Sequence, residues 1–164
     1  MPATKYTRYN DIPQLTRGGS WECDFNLDEA VRFVRNKDEQ VGLDLDPDFQ
    51  RGHVWNEAQQ IAWLEFFIRG GKTGRVLYFN QPSWMMRATT AYDDFVIVDG
   101  KQRYKAIERF IGGEIKVYGS YVGEYTDSLR CTHTLKINVN NFADQGGRVA
   151  VVHRNEQRRP TAHR

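Results

Sequence analysis

A chain of 164 residues, 40% hydrophobic and 27% charged, is long enough for one domain with a substantial core and ordinary in composition for a globular protein. Its net charge of +2 excludes a strong pull on polyanions through total charge alone. No apolar run approaches the roughly 20 residues that cross a bilayer, and the polar N-terminus has no apolar signal-peptide core, so a cytoplasmic protein without a membrane partner is expected.

Residues 1–20 are polar and rich in turn formers, and residues 1–24 read as an N-terminal arm or edge segment. Asn26 or Asp28 can cap a first helix, to which Leu27, Ala30, Val31 and Val34 give one apolar face and whose last turn, around Lys37, Asp38 and Glu39, is solvated. Residues 43–51 are short and extended, with Pro47 restricting them to an edge or a loop. Asn56 is a natural cap for a second helix, with Glu57 in its first turn, Ile61, Leu64, Phe67 and Ile68 as its buried stripe and Gly70-Gly71 as its stop. A strand over 75–80 and a loop over 82–91 follow. Residues 94–98 read as the central strand, and residues 101–111 as a third helix ended by Gly112-Gly113. Further strands are expected over 114–118 and 134–139. The order mixes α and β elements, with no internal repeat and no Pro/Gly/Ser linker, so one α+β domain is predicted.

Several motifs suggest chemistry and fail on spacing. Gly71-Lys72-Thr73 resembles the end of a P-loop. The first glycine of that motif would stand where Phe66 is, and the segment follows a helix rather than a strand. Asp44, Asp46 and Asp48 suggest a calcium loop, but Phe49 and Trp55 occupy its glycine and glutamate positions. His53, His133, His153 and His163 have no paired spacing, and Cys23 and Cys131 lie far apart. No metal ligand is assigned, and the cysteines are read as reduced thiols.

The junction at residues 95–107, Phe-Val-Ile-Val-Asp-Gly-Lys-Gln-Arg-Tyr-Lys-Ala-Ile, is more informative. A buried strand ends in Asp-Gly and a helical pattern through Tyr104, Ile107, Glu108 and Ile111 starts at once. Asp99, Gly100, Gln102 and Arg103 therefore sit at a helix N-terminus, where unpaired backbone N–H groups favour anions and an Arg adds a planar fork for phosphate. Two readings stay open here: a phosphate or nucleotide site, or an Arg103–Asp99 pair that staples the turn. Residues 49–55, Phe-Gln-Arg-Gly-His-Val-Trp, likewise read either as a loop anchored by Phe49 and Trp55 or as a second wall of the same cleft, bearing Gln50 and Arg51.

Taken in order, the Phe-Gln-Arg-Gly-His-Val-Trp segment, a helix, a strand and then Asp-Gly-Lys-Gln-Arg opening a helix resemble the GmrSD-type restriction N-terminal domain. That family is named for a DGQQR motif and shares the ParB/sulfiredoxin-like fold. The resemblance spans about residues 25–142 and implies a single such α+β domain, a small mixed sheet flanked by helices. It also implies nucleotide (NTP) binding, often with NTP hydrolysis, in modification-dependent DNA restriction and phage defence. The matching positions imply catalytic roles for Asp99, Gln102 and Arg103, and nucleotide or phosphate binding by Gln50, Arg51, Gly100, Lys101 and Arg103. Asp99 would hold a divalent ion such as Mg²⁺, position a water or orient an arginine. Lys101 departs from the family pattern, which has Gln there; a lysine can still donate to phosphate, as a point charge. Implied partners are a nucleotide, DNA, and a separate nuclease domain or subunit, since autonomous DNA cleavage is not expected of this chain. The alternatives are a non-catalytic DNA- or partner-binding module and a truncated, inactive product. Residues 143–164 read as a basic tail. It carries five Arg and one Glu from residue 145 on and is either disordered or, by comparison with the family's continuation, an out-of-frame segment.

Overall fold

Alternating apolar residues over 77–79, 95–97 and 135–139 line one face of a single sheet in the computed structural model. The structure describes residues 5–8, 12, 21–47, 54–85, 94–127 and 133–142. Among these, five strands and three helices form an α+β fold: β1 (Trp21–Phe25), α1 (Leu27–Val41), β2 (Leu43–Asp44), α2 (Glu57–Ile68), β3 (Val76–Asn80), β4 (Phe95–Asp99), α3 (Lys101–Ile111) and β5 (Leu135–Asn140). The strand order is β1-β5-β3-β4-β2. β1 runs antiparallel to β5 and β3 antiparallel to β4, whereas β5 with β3 and β2 with β4 are parallel, so the sheet is mixed. No helix among the described residues is long and apolar enough to cross a membrane.

The helices form where the sequence places them. Leu27, Ala30, Val31 and Val34 are all buried, and Glu29 Oε2 accepts from the Asn26 N–H at the start of α1. At α2 the Asn56 and Gln59 side chains each accept from the other's backbone N–H, at 2.9 and 3.0 Å. α1 and α3 share one core with Leu77, Phe79, Phe95, Ile97 and Ile137, and the Phe79 and Phe95 rings stack 4.4 Å apart. A small second cluster, Tyr78, Val98 and Phe142, lies on the other face of the sheet.

Four expectations change. The central place expected for residues 94–98 belongs to β3, and β4 lies between it and β2. The alternation over 114–118 is not a strand: Ile115 and Val117 are buried, but Val117 pairs with Ser120 in a tight turn. That turn is pinned to α2, because Tyr118 donates its N–H to Glu65 Oε1 and its hydroxyl to the Glu65 carbonyl. In α2, Leu64 and Phe67 are buried, but Ile61 and Ile68 are only partly so, and Gln60 is buried instead. Gln60 accepts from Arg109 of α3 at 2.6 Å, and the same guanidinium reaches Glu57 and Glu114, so a polar bridge rather than a fourth apolar contact joins these helices. Finally, the sheet takes in Trp21 to Phe25 as an edge strand, although the expected arm runs to residue 24. Most of residues 1–20, Cys131 and the tail at 143–164 lie outside the described residues, whereas Cys23 on β1 carries a free thiol.

Asn80 ends β3 fully buried; it donates to the Phe142 carbonyl at 3.1 Å and accepts from the Phe142 N–H at 2.8 Å. Asn80→Ala strands both backbone groups, and urea denaturation should report a loss of about 2–4 kcal/mol.

Candidate functional site

β4 is apolar through Val98 and ends at Asp99, where the chain must turn sharply into α3. Gly100 makes that turn with φ of 102°, in the left-handed region. A Cβ there would also lie 2.5 Å from Leu77 Cδ2, so glycine is favoured by conformation and any larger residue must displace that Leu77 methyl. α3 thus starts without a capping side chain, and its first turn holds no acidic residue. Lys101, Gln102 and Arg103 occupy that turn, where backbone N–H groups and the positive end of the helix dipole attract anions.

Each of the three side chains has a described partner. Arg103 donates through Nη2 to Asp99 Oδ2 at 2.8 Å and through Nη1 to the Val76 carbonyl at 2.9 Å. Both side chains of this pair are largely covered, at 12% and 19% exposure, and the pair closes the turn across Gly100. Of the two readings of Arg103, the staple is therefore present in the structure. Gly74 packs over the arginine stem: a Cβ at Gly74 would lie 3.5 Å from Arg103 Cδ and 3.2 Å from Trp63 Nε1. Gln102 Oε1 accepts from the Trp55 N–H at 3.1 Å and so ties the helix start to the chain entering α2. Lys101 reaches sideways and forms an ion pair with Asp46 Oδ1.

The position of Asp46 follows from the sheet. β2 pairs with β4 in parallel, Leu43 opposite Phe95 and Asp44 opposite Val96, so the chain beyond Asp44 advances alongside β4 toward residue 101. Asp44 Oδ1 accepts from the Asp46 N–H at 2.9 Å and turns the loop there. The hydrogen bond from Lys101 holds the Asp46 carboxyl below its ordinary value, and the charges of Lys101 and Lys105 act in the same direction.

The structure thus gathers Asp99, Gly100, Lys101, Gln102 and Arg103 at one strand-to-helix junction, while Gln50 and Arg51 lie outside the described residues. Gly71-Lys72-Thr73 belongs to the turn between α2 and β3 rather than to a phosphate loop. Sequence reasoning missed Asp46 as the partner of Lys101, because a contact 55 positions away carries no local signal. It also missed the Val76 carbonyl, which is invisible to any reading by residue type. Chemically the junction can bind an anion at a helix end with a cation beside it. Its one internally paired arginine serves the shape of the turn.

Two outcomes test this geometry. Gly100→Ala should lower stability by about 1–3 kcal/mol in urea denaturation. Lys101→Ala should return the Asp46 carboxyl to its ordinary titration, read by carboxyl NMR. The favourable effect of this pair on folding is present above the ordinary carboxylate value and disappears as pH falls through the lowered one.

Comparison with known proteins finds no matching family model, no similar curated protein and no similar solved structure.

Proposed function

We propose that this domain binds the polyphosphate of a nucleoside triphosphate at the junction of β4 and α3, as a regulatory domain of the GmrSD N-terminal kind with a ParB/sulfiredoxin-like fold. The observation that carries this reading is the start of α3: an 11-residue helix opening on a left-handed glycine, with no acidic residue in its first turn and Lys101 at its first position. Phosphate oxygens would meet the backbone N–H groups of residues 101–103 and the Lys101 ammonium. Gly100 lets the ligand approach the backbone. Asp99 and Arg103 hold the turn in shape, and Gln102 holds the chain at Trp55, so these act as positioning residues. Gln50 and Arg51, ahead of Trp55 in the first motif, are further phosphate-binding residues that the family resemblance implies. Mg²⁺, when present, would neutralise phosphate charge, and Asp99 is the motif carboxylate that would face it.

Hydrolysis is a separate proposal. Lys101 is a point charge, suited to holding phosphate and unsuited to the planar hydrogen bonding of the family's Gln. The Asp99–Arg103 pair favours a second reading on the same fold: a domain that binds a nucleotide, DNA or a nuclease subunit in the cytoplasm without turning anything over. Phosphate release with and without DNA separates turnover from binding, and a gel shift at graded salt tests DNA, because phosphate contacts give a steep salt dependence.

Calorimetry with ATP and GTP, each with and without Mg²⁺, tests the primary reading. Binding should appear with at least one of them, together with a raised melting temperature. Lys101→Ala should weaken it by about tenfold or more while the circular dichroism spectrum is unchanged. Absence of heat and of any melting shift with every nucleotide, in the wild type and in Asp46→Asn alike, overturns the proposal. Arg103→Ala is a poorer probe, since it removes the hydrogen bonds to Asp99 and to the Val76 carbonyl that shape the turn.

A further inference from the structure

Resting on the polyphosphate reading of the same site, we infer that Asp46 is a built-in competitor for the ligand: its carboxylate occupies the Lys101 ammonium in the free domain and must be displaced before phosphate is seated. A carboxylate brings Lys101 the same negative oxygen that a phosphate would bring. The pair is asymmetric. The Lys101 side chain is 13% exposed, whereas that of Asp46 is 75% exposed. The lysine is thus held against the domain, and the carboxylate can swing into water at little cost. Asp46 is presented, not tethered: the β2–β4 register, the Asp44 turn and buried Pro47 bring its backbone to the site, while the carboxylate itself has Lys101 as its described ion-pair partner. Lys105, one turn along α3, adds a weaker attraction. The Asp99–Arg103 pair is a separate contact with its own partners and stays closed when Asp46 leaves.

The consequence is a lowered apparent affinity, because the ligand-competent form is the fraction in which Lys101 is released. The gate also adds selectivity. A single-charged anion gains little over the carboxylate it displaces, whereas a polyphosphate gains more charge and further contacts with the helix end.

Pyrophosphate and ATP binding to the full chain, measured by calorimetry for wild type, Asp46→Asn, Lys101→Ala and the double variant, tests this. Asn keeps the size of the side chain and removes its charge. Asp46→Asn should bind about three- to tenfold more tightly than wild type, and that gain should vanish in the Lys101→Ala background. Tight binding by Asp46→Asn with none detectable in wild type also supports the gate, as its fully closed form. Equal or weaker binding by Asp46→Asn overturns the gate and leaves the polyphosphate reading standing. A gain that persists without Lys101 overturns the gate as well. No binding by any chain overturns the polyphosphate reading and the gate with it.

Discussion

The guanidinium of Arg103 fixes the exit of β4 by bonding on two sides at once. One nitrogen holds the Asp99 carboxylate across Gly100, and the other holds the Val76 carbonyl of the neighbouring strand. Three elements are thereby joined through a single planar group: β3, β4 and the first turn of α3. With both side chains largely covered, the pair persists because each charge has a partner, and removing either one takes an opposite charge from the other. The direction of α3, and hence where its free N–H groups point, depends on this contact.

That commitment redistributes the chemistry of the motif. An arginine holding strand and turn together is a poor mobile clamp, so the proposed anion recognition falls to the helix end and to Lys101. The lysine in turn is occupied by Asp46, a residue delivered by the edge strand β2. The junction therefore contains two nested ion pairs of different character. The covered one between Asp99 and Arg103 builds the turn; the pair with an exposed carboxylate balances the charge that the turn presents. In the proposed reading stability and recognition are kept on separate side chains, so a charge change at Asp46 would alter binding without unfolding the turn.

Much of this fold is legible in sequence because its signals are local. Helical periodicity and the Asn26 cap define α1 down to its four buried residues, and the Asn56 cap marks the start of α2. The Asp-Gly break after an apolar run likewise announces the β4–α3 junction and its left-handed glycine. What fails to show is set by partners distant in the chain. Ile115 and Val117 alternate as a strand would, yet their backbone folds into a turn held by Glu65. Gln60 looks like a surface residue and is buried because Arg109 comes to meet it. β1 is short and sits in a polar stretch, so its strand identity comes from pairing with β5 rather than from its own pattern. At the site, five adjacent motif residues are readable by type, but the choice between clamp and staple for Arg103 needed the Val76 carbonyl and the covered environment around it.

Backbone amide NMR during a titration with ATP tests the central claim most directly. Binding at the helix end predicts that the largest shifts fall on the N–H groups of residues 101–103, with Gly100 moving alongside them and the β1–β5 ladder unaffected. Saturating shifts concentrated elsewhere in the domain, with residues 100–103 unmoved, would contradict it.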